Sequence, residues 1–253
     1  MCSHQYENMK FITALFLCFY FAPAFCQQLQ LHYDARHTID PDHNQKNFAT
    51  LYFEYFKNQD SGNRFIKPGS FLLKMQADFM GQQHNMGKFY MQVSQSFRCW
   101  QPKIFLDVQY SGGLGITEPK EYSFYITNTF SLGVSYPFKW KEAYFASQLN
   151  FKYVPYKKPS SDFLYTLYWW KGLFNYKAEF AGDFSVWTEN KNHGDDLTKE
   201  MHGKRFSFFA EPQWWYNLSK QFSVGTKVNM YYHINTTADI FQVYPTVAVR
   251  CKL

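Results

Sequence analysis

After the apolar stretch at residues 11–21, no segment of this 253-residue chain stays apolar for the ~20 residues a membrane helix needs, so a helical membrane protein is excluded. Cysteine is scarce. Of five, Cys2, Cys18 and Cys26 fall in the first 26 residues, leaving Cys99 and Cys251. Two distant thiols make no disulfide framework; both sit on the apolar parity of their segments and are expected as small lipid-facing residues. The net charge of +6 is scattered, with no basic run, which leaves nucleic-acid binding without support. Internal repeats, low-complexity tracts and domain linkers are also missing. His32, His37 and His43 with Asp34, Asp40 and Asp42 lie on a strand end and a loop, so they read as solvated polar groups and no metal or cofactor is expected. His193, His202 and His233, with Asp195 and Asp196, show no spacing that singles out a nucleophile, and no enzyme is expected. Gly112-Gly113-Leu114-Gly115 precedes a strand instead of a helix, so it reads as a flexible loop and not as a phosphate cradle.

What is abundant is the aromatic ring. Aromatics make up 22% of the chain, with Phe 28 and Tyr 20, while mean hydropathy is −0.44. Strands that alternate in polarity average out in this way. In residues 122–138 every second residue is apolar except Asn128: Tyr122, Phe124, Ile126, Phe130, Leu132, Val134, Tyr136 and Phe138. That period of two is an extended strand with one apolar and one wet face. It far exceeds the ~5–6 residues of an ordinary strand and suits the about 9–11 residues that cross an outer membrane at a tilt.

The same alternation recurs through the chain and yields about twelve strands. Short links at Trp100-Gln101-Pro102, Lys139-Trp140-Lys141, Gly172-Leu173 and Leu218-Ser219-Lys220 alternate with longer ones at 112–120, 155–160, 189–203 and 235–240. Such alternation fits periplasmic turns and extracellular loops; the long link at 57–69 breaks it. The expected fold is all-β, an antiparallel up-and-down transmembrane barrel. A soluble lipocalin-like barrel would point the apolar face inward, yet a barrel of about twelve strands is too wide for one layer of side chains to fill. Lys10 and the apolar residues 11–21 form a secretory signal, so residues 1–26 are expected to be removed and residues 27–253 to form the barrel.

On the expected lumen face lie Glu54, Lys74, Asp78, Arg98, Asp107, Lys177, Glu179, Asp183, Glu211 and Lys227, with the rings Tyr90, Tyr125 and Trp215. Charges and rings on a pore wall can orient a polar solute. The competing reading is an ion-pair ladder that braces the walls, with rings that plug the bore.

Leu31-His32-Tyr33-Asp34, Gln109-Tyr110-Ser111-Gly112-Gly113-Leu114, Glu211-Pro212-Gln213-Trp214-Trp215-Tyr216-Asn217-Leu218 and Ser223-Val224-Gly225-Thr226-Lys227-Val228 resemble segments of an uncharacterised family of secreted Bacteroidetes-type proteins. That family is distantly similar to the Tsx nucleoside-specific channels, twelve-stranded monomeric barrels. The resemblance implies a monomeric barrel in bacterial outer-membrane lipid that passes nucleosides or similar small polar solutes. No solute-contacting residue is carried over from it. A non-conducting structural or adhesion barrel and an outer-membrane hydrolase are the alternatives.

Overall fold

The computed structural model describes residues 27–59, 66–98, 100, 103–117, 122–196, 198–234, 236 and 238–253. The expected signal segment, Cys99 and part of the 57–69 link lie outside them. The strands are β1 (Gln27–Asp34), β2 (Phe48–Asn58), β3 (Lys67–Asp78), β4 (Lys88–Arg98), β5 (Phe105–Ile116), β6 (Ser123–Trp140), β7 (Ala143–Val154), β8 (Ser160–Leu173), β9 (Ala178–Asn190), β10 (Lys204–Ala210), β11 (Gln213–Asn217), β12 (Phe222–Tyr232) and β13 (Phe241–Lys252). Each pairs antiparallel with its neighbours, and β1 closes the ring on β13.

β10 and β11 are halves of one stave, so thirteen segments make twelve staves. Ala210 faces Phe184 and Gln213 faces Ala181, one register throughout. Pro212 has no N–H and interrupts the ladder, but its carbonyl still accepts from Val228 N at 3.0 Å. Short links and both ends of the described chain share one rim, where Leu253 N donates to Gln27 O at 2.9 Å. The longer loops share the other rim, except the β2–β3 link, whose ends Asn58 and Lys67 stand at the short-link rim.

Burial decides which face is outside. Phe130, Leu132, Val134 and Tyr136 of β6, Leu149 and Phe151 of β7, and Val247 and Val249 of β13 are exposed. Gln30, Ser94, Gln109, Ser131, Asn150 and Thr246 are buried. The interior is polar and the exterior apolar, the arrangement of a barrel solvated by lipid. The protein is therefore a closed outer-membrane barrel, and a lipocalin-like interior is ruled out.

Two local departures redirect side chains. Gly113 pairs with Thr127 but Leu114 pairs with Tyr125, so Ile126 is the extra residue of a β-bulge. Below the bulge the expected parity holds; above it the faces exchange. Phe124 and Ile126, expected in lipid, line the interior. Tyr125, expected in the lumen, is 49% exposed and packs on Tyr156 with ring centroids 4.2 Å apart. Gly113 makes the bulge possible, since a Cβ there would lie 2.9 Å from Phe89 O and 3.1 Å from Ile126 Cβ. The glycine run is thus strand β5, not a loop.

The second departure is the β8–β9 turn. Phe174, Asn175 and Tyr176 have φ of 51°, 53° and 63°, so they turn the chain instead of opening β9. Lys177 falls in that turn and is exposed at the short-link rim, not inside the lumen.

Candidate functional site

Asp183 on β9 stands directly beside Glu211 in the next stave, where Glu211 N donates to Asp183 O at 2.9 Å. Like charges opposed across a ladder repel. Lys74 resolves this from β3, six staves away in a ring of twelve and hence on the facing wall. Its Nζ donates to Asp183 Oδ1 at 2.5 Å and to Glu211 Oε1 at 2.9 Å. Lys227 Nζ donates to Glu211 Oε2 at 3.1 Å. Two cations therefore balance two anions, and one lysine crosses the bore at mid-height. Gln92 Nε2 on β4 makes a second crossing, donating to Tyr168 OH on β8 at 3.0 Å. Gly182 makes the acidic wall possible: its φ is +152°, and a Cβ would lie 2.6 Å from Glu211 O.

Toward the long-loop rim the interior opens into a well of about 660 Å³. Lys74, Asp183, Glu211 and Tyr168 form its floor; Tyr90, Phe209, Trp187, Phe124 and Ile126 are among its walls. The loop at residues 35–47 folds toward the mouth. Arg36 pairs with Asp34 at 2.7 Å and lies 4.8 and 4.9 Å from the rings of Phe48 and Tyr244. Tyr244 OH donates to Asp40 Oδ2 at 2.9 Å, and Asn44 Nδ2 donates to Tyr244 OH at 3.0 Å. His43 Nδ1 donates to Asp40 Oδ1 at 2.8 Å. That bond holds the Asp40 carboxyl below the usual range and raises the His43 imidazole above it.

Toward the short-link rim the interior is packed. Trp215 is 0% exposed, with the Arg250 guanidinium 4.5 Å from its ring centroid. Arg250 donates to Glu179 at 2.9 Å, and Lys252 bonds the same carboxylate. Asp107 accepts from Gln148 at 3.4 Å and Asn150 at 3.2 Å. Arg98 lies 5.2 Å from the Phe105 ring, and Glu54 accepts from Gln28 at 2.7 Å and Tyr52 at 3.0 Å.

Of the residues expected on the lumen wall, Lys74, Asp78, Tyr90, Asp183 and Glu211 line the well. Lys227 completes the mid-height cluster; Glu54, Arg98, Asp107, Glu179 and Trp215 belong to the packed half. Tyr125 and Lys177 lie outside, for the reasons of bulge and turn given above. Arg36, Phe124 and Ile126 line the well without having been expected there. The glycine run opposite residues 124–126 was the available signal for the bulge; no periodicity marks the infolded loop.

Among the described residues, no nucleophilic hydroxyl joins the rings of the rim histidines. Arg205 donates to His193 at 3.5 Å, His202 donates to Glu200 O at 2.8 Å, and His233 contacts Phe206 O and Asp239. Nor, among the described residues, do three His, Cys, Asp or Glu side chains converge as a metal site would require.

A family model described as a domain of unknown function, DUF5020, matches residues 26–253. The chain belongs to the DUF5020 family. No curated protein sequence matches it. Among solved structures, this DUF5020 member is similar to the NanC porin, with TM-score 0.50 and 9% identity over 90% of this chain and 100% of that one. It is also similar to the KdgM porin in complex with disordered oligogalacturonate, with TM-score 0.47 and 7% identity over 89% and 99%. LpxR from Salmonella typhimurium gives TM-score 0.40 and 9% identity over 89% and 100%. The likeness to the NanC porin shows a shared barrel fold.

Proposed function

We propose that this protein is a narrow, monomeric pore for small polar solutes that carry a ring, nucleosides being the class in view, made with a signal segment that is removed ahead of Gln27. The well carries this reading: about 660 Å³ of space whose floor includes a lysine side chain crossing the bore. That volume falls in the range of small-molecule sites, roughly 300–1,000 Å³. Tyr90, Tyr168 and Phe209 offer faces on which a base can stack, and Gln92, Gln109 and Thr129 offer hydrogen bonds to a sugar. Contacts of this kind are weak and exchangeable, as passage requires. Opening consists of Lys74 leaving Asp183 and Glu211. Purified protein in planar bilayers is expected to conduct, with adenosine lowering the conductance; silent bilayers together with an absence of liposome swelling would remove the pore.

A second reading, a non-conducting barrel, draws on the two mid-height crossings and on the Trp215–Arg250 layer beneath them. Silence of both the wild type and Lys74→Ala, with solute binding retained, would favour it.

A further inference from the structure

Between β5 and β6 the ladder runs up to Ile116–Ser123, but between β6 and β7 it stops at Phe130–Tyr153. The upper part of β6 thus has one free edge, and a second cavity of about 660 Å³ lies against it. Phe124, Ile126, Thr127 and Lys152 line both this cavity and the central well. Lys152 stands out among them. It is 8% exposed, and its Nζ lies 4.9 Å from the Trp187 ring centroid. It makes no hydrogen bond or ion pair with any described residue. The two acids whose charge reaches it, Glu189 and Asp162, accept their hydrogen bonds from other groups, and Lys204 adds a repelling charge. Arg205 donates to Glu189 at 2.9 Å, as does Trp187 Nε1. Lys204 and Thr188 donate to Asp162 at 2.6 and 2.9 Å. A nearly buried ammonium with no carboxylate in hydrogen-bond reach is costly, and an incoming anion in direct contact would relieve that cost.

We propose that Lys152, with Thr127 lining the same two cavities, is an anion subsite for a solute that joins a flat ring to an anionic group. The anion meets Lys152, and the ring lies against Phe124, Ile126 and Trp187. This deepens the pore reading by naming the charge its solute carries, and it rests on that reading for the ring.

Calorimetry on detergent-solubilised full-length barrel tests it with adenosine monophosphate, adenosine and inorganic phosphate as probes. Adenosine monophosphate should bind the wild type at least about tenfold more tightly than adenosine, the size of one charge-assisted hydrogen bond. Lys152→Met should lose about that factor for the monophosphate, keep its adenosine affinity, and be rescued by Lys152→Arg. Lys152→Gln serves if the Met variant does not fold, as judged by heat-modifiable gel migration. Equal monophosphate affinity in wild type and a folded neutral variant overturns the subsite, as does binding of phosphate alone with no contribution from the ring. Lys152-dependent binding by a barrel silent in bilayers would keep the subsite and remove only the pore.

Discussion

Arg250 and Lys152 are both buried cations on inward-facing strand positions, yet they belong to unlike halves of the lumen. In the half below Lys74, Arg250 reaches Glu179, Asn217 and Ser223 and covers Trp215, so charge and ring are consumed by one another. In the half above it, Lys152 meets a ring but no carboxylate, beside a cavity. The two halves draw on the same residue types. What differs is whether neighbouring staves supply complementary groups at one height. Paired charges brace a wall; unpaired ones beside open space are available to a solute.

Breaking the divide between the halves should have the largest effect. Lys74→Met leaves Asp183 and Glu211 facing each other with Lys227 alone, and loss of one partner from a buried cluster costs about 3–5 kcal/mol. The temperature at which the barrel loses its folded gel mobility should fall, and a surviving variant should conduct more. Gly182→Val forces a β-branched residue into a φ of +152° and against Glu211 O, for a loss of about 1–3 kcal/mol readable by the same assay. Arg36→Gln acts at the mouth. It removes the guanidinium from the buried Asp34 carboxylate and should speed protease cleavage in the 35–47 loop, with a smaller fall in barrel melting than Lys74→Met because Arg36 N and Asn229 Nδ2 still donate to Asp34.

The smallest effect is one of pH. His43 is exposed and Asp40 half-buried, and each favours the charged form of the other. A raised imidazole stabilises the loop below its unfolded pKa, and this is lost as pH rises through the folded value. A depressed carboxyl stabilises the loop above its own unfolded pKa, and this is lost as pH falls through the folded value. Amide protection in the loop, taken relative to intrinsic exchange at each pH, should therefore be greatest at mildly acid pH and fall on both sides; a flat protection profile would show that the clasp does not order the mouth.

The twelve staves were legible because lipid demands an apolar residue at every second position, and Phe130 to Tyr136 shows it plainly. The inward parity of Lys74, Asp183 and Glu211 was legible for the same reason. Their convergence was not, because it depends on β3 standing opposite β9, and alternation carries no information about ring closure. Tyr125 was misplaced because one extra residue, Ile126, reverses every side chain above it. Lys177 was misplaced because apolar Phe174 and Tyr176 mimic strand parity inside a turn. Arg36 escaped notice because a loop that folds inward leaves no period to read.

The central claim is that Lys74 separates an open half from a packed one and controls passage between them. Single-channel recording of wild type beside Lys74→Ala measures this directly. The account predicts a small or intermittent conductance in the wild type and a larger, steadier one in the variant. Equal conductance in the two, with both barrels folded, would contradict it.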